Sequence, residues 1–139
     1  MIHRFRIATR ASGVRRQVFV HVYDDREELA REHCKARDKP YEHDADIAGG
    51  VVTQQGFRWP SPDCTPIIVM RLWTGQLTTK TVAHEAVHAA APLYFMDGIP
   101  GWHSRARAFL IGDHEMLAYL VGDITSEVIK NLYRLKLLA

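Results

Sequence analysis

The sequence predicts a single α+β domain, and three observations support that prediction. The chain has 139 residues, a length that suits one domain with one hydrophobic core. Four short segments rich in β-branched and aromatic residues are interleaved with three segments of helical periodicity. No internal repeat, low-complexity stretch or linker divides the sequence, so residues 1–139 are expected to form one domain.

Two strands joined by a turn are expected at the N-terminus. Residues 2–9 alternate weakly between apolar and polar side chains, as a half-buried strand does. Residues 10–16 contain Ser12-Gly13 and predict a turn. Residues 17–23 are β-branched and aromatic, and they predict a second, clearer strand.

A helix is expected next, beginning at a capping box. Asp24 can accept from the free N–H groups of the first turn, and Glu27 can reach back toward the cap. The helix is predicted to end near Arg37, because Pro40 disfavours helical backbone in the residue before it. Three side chains are expected to face inward: Leu29, Ala30 and His33.

Two further strands are expected in the middle of the chain. Residues 48–53 predict a short strand, and Gly49 and Gly50 near its start indicate a bulge or a close backbone approach. A proline-containing loop over residues 54–65 separates this strand from residues 67–73. The latter are apolar and β-branched, and they form the strongest strand prediction in the chain.

The C-terminal half is predicted to hold two helices. Thr74-Gly75 turns the chain into a central helix over about 77–93, which is apolar on nearly all sides and therefore expected to be buried. Residues 94–111 predict a loop, which is either a lid or substrate wall over the helix end or an ordinary surface connection. The last helix is predicted over about 112–137. Its apolar stripe consists of Leu117, Leu120, Val121, Ile124, Val128, Leu132 and Leu135.

The central helix carries the pattern His84-Glu85-x-x-His88. Residues four apart lie on one face of a helix, so two imidazoles can point at one metal ion, and zinc suits them. Glu85 lies about 100° around the helix from His84, where a general base for water activated by the metal belongs. In the alternative interpretation the histidines bond to backbone carbonyls and Glu85 reaches solvent.

A catalytic zinc site usually has three protein ligands and one position for water, so a third ligand is required. A third histidine six residues after His88 is excluded, because Tyr94 occupies that position. Glu115 is favoured, because the first turn of the last helix tolerates a carboxylate and the small residues Ala118 and Gly122 let the central helix approach. The alternatives are Asp97, His103, Asp113 and His114.

These motifs resemble those of the gluzincin branch of the zincin metallopeptidases. The H-E-x-x-H pattern is followed, on the next long helix, by Glu115-x-x-Ala118, and a strong strand stands just before the H-E-x-x-H helix. The resemblance is specific over about residues 66–125. Within this branch, the chain is similar to the small minigluzincin-like proteins of bacteria and their phages. This similarity implies a zincin-like minimal metalloprotease fold, with a small mixed or antiparallel sheet packed on the active-site helix and a long C-terminal helix.

The resemblance implies a zinc-dependent metallopeptidase that hydrolyses peptide bonds with one Zn²⁺ ion. Its ligands would be His84, His88 and Glu115, and Glu85 would act as general base and then general acid. Narrow specificity or low activity is expected, because no propeptide is visible in the sequence and an unregulated cytosolic protease would be hazardous to its own cell.

The same resemblance suggests how a substrate binds. Residues 67–73 would be the sheet edge along which a peptide lies extended, with Val69 and Arg71 as substrate contacts. Tyr119 is a candidate for stabilising the oxyanion, and so are His103 and His114.

Composition and charge argue against several other classes. Eighteen Lys and Arg against 16 Asp and Glu leave a net charge of +2, so a peptide or protein partner is expected rather than nucleic acid. Cys34 and Cys64 form no C-x-x-C pair and are expected to be free thiols in a reducing compartment. With no apolar secretion signal and no membrane-spanning run in the sequence, a cytoplasmic location is expected.

Two rival interpretations use the same residues. One is a zinc-stabilised, non-catalytic binding or regulatory module of phage or mobile-element origin. Glu85 argues against it, because a purely structural site needs no base and usually has four protein ligands. The other rival is a metal-free α+β domain with incidental motifs.

Overall fold

The computed structural model describes residues 1–41, 48–55, 65–98 and 115–139. Within these ranges the chain forms four strands and three α-helices, in the order β1 (His3–Thr9), β2 (Arg16–Tyr23), α1 (Arg26–Ala36), β3 (Gly50–Gln55), β4 (Ile67–Trp73), α2 (Thr79–Leu93) and α3 (Glu115–Arg134). A 3₁₀ turn over Thr74–Gln76 leads into α2, and a π-helical turn over Tyr94–Gly98 extends it. The predicted α+β class is confirmed. The irregular segment expected at 94–111 begins with the π turn, and residues 99–111 lie outside the described residues.

The strands form one mixed sheet in the order β1-β2-β4-β3. β2 pairs with β1 antiparallel and with β4 parallel, and β4 pairs with β3 antiparallel. Within the described part of the chain, β1 and β3 are therefore the edges, and the expectation that residues 67–73 form the edge is wrong. The reason is burial on both faces of β4, since Met70 and Leu72 are fully buried on one face and Arg71 is 6% exposed on the other.

The two faces of the sheet pack against different helices. Alternate residues of β2 and β4 share one hydrophobic core with α2 and α3, because successive side chains of a strand point to opposite faces. This core includes Val20, Val22, Ile68, Met70, Leu72, Ala86, Ala89, Leu93, Leu120, Ile124, Val128 and Leu132. On the opposite face of the sheet, α1 packs through a smaller cluster of Tyr23, Leu29 and Ala30.

Helix α1 begins one residue later than the sequence suggests. Asp25 rather than Asp24 is the N-cap, and its Oδ1 accepts from the backbone N–H of Glu27 at 2.8 Å. Glu27 therefore stands too close to the cap to complete a capping box, and its carboxylate lies 3.8 Å from Arg31 instead. The predicted inner face is confirmed: Leu29, Ala30 and His33 are buried.

Helix α2 is buried on one side only, which corrects the expectation of a helix covered all round. Val82, Ala86 and Ala89 are fully buried against the sheet and α3, whereas Val87 is 48% exposed. His84 and His88 lie on the same exposed side as Val87. Alanine residues made the exposed side look apolar in the sequence. Because their side chains are small, they tolerate exposure to solvent and do not require a packing partner.

Helix α3 packs through its apolar stripe, as predicted. Leu120, Ile124, Val128 and Leu132 have no exposed area. The face with the small residues Ala118 and Gly122 does not meet α2, since both are exposed and a Cβ built on Gly122 would meet nothing within 4 Å. The larger apolar stripe packs on the core instead, because it buries more apolar surface. In the described ranges no helix has both the length and the apolar character needed to cross a bilayer.

Candidate active site on helix α2

His84 and His88 converge on one point beside α2. Their Nε2 atoms lie 3.3 Å apart, and the ring centroids are 5.0 Å apart with the planes at 65°. Two tetrahedral zinc ligands with Zn–N bonds of about 2.0–2.1 Å would have their nitrogens about 3.3–3.4 Å apart. The pair therefore has the spacing of two zinc ligands, on the exposed side of the helix where an ion and a substrate can reach it.

The helix that carries the pair is fixed at its start and along one side. The Thr78 hydroxyl caps α2 by accepting from the Thr81 backbone N–H at 3.1 Å. The side chain of Gln54, on β3, donates from Nε2 to the backbone carbonyl of His88 at 3.1 Å. This hydrogen bond ties the edge strand to the very turn of α2 that carries the second histidine.

Glu85 lies on the buried side of α2, in contrast to the histidines. It is 5% exposed. Burial raises the pKa of the Glu85 carboxyl, and the charges of His84 and His88 oppose this with a smaller lowering. A carboxyl whose pKa is moved toward neutrality is better suited to accept and return a proton than an ordinary glutamate. Because Glu85 is buried, the alternative in which its side chain reaches solvent is wrong.

The edge strand β3 packs against the side chain of this glutamate. A Cβ built on Gly50 would lie 2.9 Å from Cγ of Glu85 and 3.0 Å from the carbonyl oxygen of Arg71. A Cβ on Gly49 would lie 2.9 Å from the carbonyl oxygen of Gln76. The close backbone approach predicted for these glycines is confirmed, and its effect is to let β3 pack directly on α2.

Within the described part of the chain, no third ligand stands beside the histidine pair. Among residues 1–41, 48–55, 65–98 and 115–139, no three His, Cys, Asp or Glu side chains are grouped closely enough to hold a metal ion. Glu115 is the first residue of α3 and is exposed. Asp97 uses both carboxylate oxygens within the protein, in bonds to Arg16 and Ser12. The candidates that lie outside the described residues are His103, Asp113 and His114. The His84–His88 pair fits zinc, and Glu115 as third ligand stays a prediction.

The remaining predicted site residues lie apart from the histidine pair. Val69 and Arg71 alternate with the core residues of β4, so they lie on the sheet face that α1 covers rather than the face that packs on α2. Arg71 Nη1 donates to Thr53 Oγ1 at 2.6 Å. Tyr119 is 63% exposed on α3, one turn after Glu115. Their roles as substrate and oxyanion contacts stay predictions.

Two contributors were missed in the sequence. Gln54 bonds to the backbone of α2, and Arg16 pairs with Asp97 directly after that helix. A signal for the first was present, because β3 ends in the polar pair Gln54-Gln55, as an edge strand often does. Nothing in the spacing of Arg16 and Asp97 pointed to their pairing, because they are 81 residues apart.

Comparison with protein-family models, with curated proteins and with solved structures finds no match to this chain. We therefore infer a function from the geometry and chemistry of α2 and the elements that pack on it.

Proposed function

We propose that this protein is a zinc-dependent metallopeptidase, with His84 and His88 as two ligands of one Zn²⁺ ion and Glu85 as the general base. The observation that carries the proposal is the 3.3 Å separation of the two Nε2 atoms, which equals the spacing of two tetrahedral zinc ligands. Glu115 is the proposed third ligand.

The buried carboxylate supports a catalytic rather than a structural site. A bound zinc ion would lower the pKa of a water molecule to about 7 and polarise the scissile carbonyl. Glu85 accepts a proton from the attacking water and returns it to the leaving amine. Burial favours the proton-accepting step, because it raises the pKa of the Glu85 carboxyl above its ordinary value.

We place the substrate along β3 instead of β4. β3 is the edge strand next to α2, and it contacts Glu85 through Gly50 and the backbone of His88 through Gln54. An extended peptide can add to a free sheet edge through main-chain hydrogen bonds. An inner strand such as β4 has its backbone groups already paired on both sides.

Zinc titration of the purified protein tests the metal site. The wild type should bind one zinc ion per chain, and His84→Ala and His88→Ala should each weaken binding beyond the ~10–100-fold that loss of an outer-shell partner costs. His3→Ala, on β1, is the matched control and should bind zinc like the wild type. Zinc binding that survives the His84→Ala/His88→Ala double substitution would refute the site.

A further inference from the structure

The C-terminal end of α1 carries a cavity, on the face of the sheet away from the histidine pair. The chain reverses at Asp38, whose backbone is left-handed with a φ of 52°, and the Lys39 N–H donates to the carbonyl of Cys34 at 2.9 Å. Tyr41 then packs on the small cluster that joins α1 to the sheet. Residues 38–41 thus fold back beside α1 and border a cavity of about 610 Å³, which we call the basic cavity. Its walls are Arg31, Cys34, Lys35, Asp38, Lys39, Pro40 and Tyr41.

The walls of the basic cavity carry a net positive charge. Arg31, Lys35 and Lys39 supply three positive charges against the one negative charge of Asp38. Within the described ranges, neither lysine forms an ion pair. Both lysines are exposed, so a ligand can reach their ammonium groups from solvent.

The charge of Arg31 is held at the wall of the cavity by an aromatic ring. Its guanidinium carbon lies 4.3 Å from the centroid of the Tyr41 ring, as in a cation–π contact. The carboxylate of Glu27 is 3.8 Å from Arg31, but both side chains are at least half exposed, and such pairs are weak. The planar face of a guanidinium can rest on a ring while its N–H edge still binds a carboxylate.

These cations are not required as hydrogen-bond caps for α1. Basic side chains near the C-terminus of a helix often bond to its last carbonyl groups. In α1 those carbonyls have other donors. The backbone N–H groups of residues 37–39 bond to the carbonyls of residues 33–35, and the side-chain amide of Gln55 bonds to that of Ala36. The lysine ammonium groups therefore stay available to a ligand.

The basic cavity lies at the end of the strand on which we place the substrate. The hydrogen bond from Gln55 to Ala36 fixes the last residue of β3 against the last residue of α1. At its other end, β3 contacts Glu85 through Gly50. The strand therefore runs from the proposed base to the helix end that bears the cavity, about 17 Å away at the rise of a β-strand.

We propose that the basic cavity binds acidic side chains of the peptide that pairs with β3, so that the protein selects substrates with Asp or Glu several residues from the bond that is cleaved. The substrate role rests on the proposed function, whereas affinity for an acidic peptide does not. Carboxylates suit this cavity because they form charge-assisted hydrogen bonds with ammonium and guanidinium groups. Selection by charge would also restrict cleavage to few substrates.

Peptide binding in the Glu85→Gln background, measured by fluorescence anisotropy, tests the basic cavity without cleavage of the probe. The probes are fluorescein-labelled peptides rich in Val and Thr, with adjacent glutamates at the N-terminal or the C-terminal end, because a strand can add to β3 in either direction. Matching peptides carry glutamines instead. A glutamate peptide should bind more tightly than its glutamine counterpart. Lys35→Gln/Lys39→Gln should weaken its binding by about fivefold, since each exposed charge pair contributes a small factor.

Lys130→Gln/Lys136→Gln is the matched control. It removes the same charge from α3 and the turn that follows it, on the other face of the sheet, and it should bind the glutamate peptide like the background protein. Equal affinity for glutamate and glutamine peptides, or an equal loss in the control, would overturn the role of the basic cavity. A protein that selects glutamate peptides through Lys35 and Lys39, but whose wild type cleaves none of them, would instead refute the peptidase and retain the acidic-peptide site.

Discussion

Gly50 and Glu85 lie so close together that a Cβ on the glycine would come within 2.9 Å of Cγ of the glutamate. This contact joins the edge strand β3 to the buried side of α2. The glutamate in this contact is the residue whose carboxyl pKa is raised by burial. The edge strand and the proposed base therefore pack directly on each other. A substitution at position 50 is expected to disturb both β3 and the side chain of Glu85.

Gly50→Ala should destabilise the protein. The added methyl group would press on Glu85, on the carbonyl oxygen of Arg71 and on the side chain of Leu72, each at 3.0 Å or less. Overpacking of this kind costs about 1–3 kcal/mol, which a shift of the urea midpoint would show. Gly122→Ala is the control, because a Cβ there meets nothing within 4 Å and alanine favours a helix by about 0.5–1 kcal/mol. Equal effects of the two substitutions would contradict the close packing of β3 on α2.

His33 should make the stability of the protein fall as the pH drops below neutrality. Burial, with the nearby charges of Arg37, Arg71 and Lys39, lowers the pKa of His33 from 6.5 to about 4. The unfolded chain therefore binds a proton at His33 between these two values while the folded protein does not. The stability present above pH 6.5 is lost as the pH falls toward about 4, by at most about 3 kcal/mol.

His33→Leu tests this dependence, because leucine fills the site without titrating. The free energy of unfolding of wild type minus variant, measured by urea denaturation, should decrease from pH 7 to pH 4 and stay level above pH 7. A difference that does not change between pH 7 and pH 4 would show that His33 titrates alike in the folded and unfolded chain.

Glu115→Ala should weaken zinc binding far more than His114→Ala does. The two residues are neighbours in sequence, and only Glu115 lies within the described residues, where it begins α3. A carboxylate at the first residue of α3 also suits the third ligand position of a catalytic zinc site. Competition titration of both variants decides between them, and the reverse ranking would make His114 the ligand.

Local structure was predictable from local sequence. The bounds of β4 were predicted to the residue, because a run of β-branched and aromatic side chains between turn residues has few other conformations. The inner face of α1 followed from its helical periodicity. The Gly49-Gly50 pair indicated a bulge or a close backbone approach. The structure shows a close approach, in which β3 packs on α2.

Relationships between elements were harder to predict. Strand order depends on pairing between segments that are distant in sequence. Nothing in the seven residues of β4 identifies β2 and β3 as the strands that pair with it. A signal for the inner position was nevertheless present, since a nearly continuous apolar run is typical of a strand buried on both faces. Faces made of small residues misled twice, at α2 and at α3, because small residues tolerate both contact and exposure.

Within the candidate site, the H-E-x-x-H spacing was enough to predict that two imidazoles meet. The structure adds that Glu85 is turned into the protein while the histidines face out. That division could not be read from the sequence, because it depends on which side of α2 the sheet and α3 cover. Only the three-dimensional structure reveals that Arg16 and Asp97 lie together.

Peptide hydrolysis by the wild type and by Glu85→Gln, compared side by side, separates an enzyme from a protein that merely binds zinc. Glutamine keeps the size of the side chain and one acceptor but cannot take a proton, so Glu85→Gln should keep its zinc and its fold. Loss of a general base costs at least ~10²-fold in rate. We expect zinc-dependent cleavage of a broad peptide library by the wild type, abolished by a chelator and reduced by at least that factor in Glu85→Gln. Equal background hydrolysis by wild type, variant and chelator-treated protein would contradict a peptidase and favour a non-catalytic zinc-binding module.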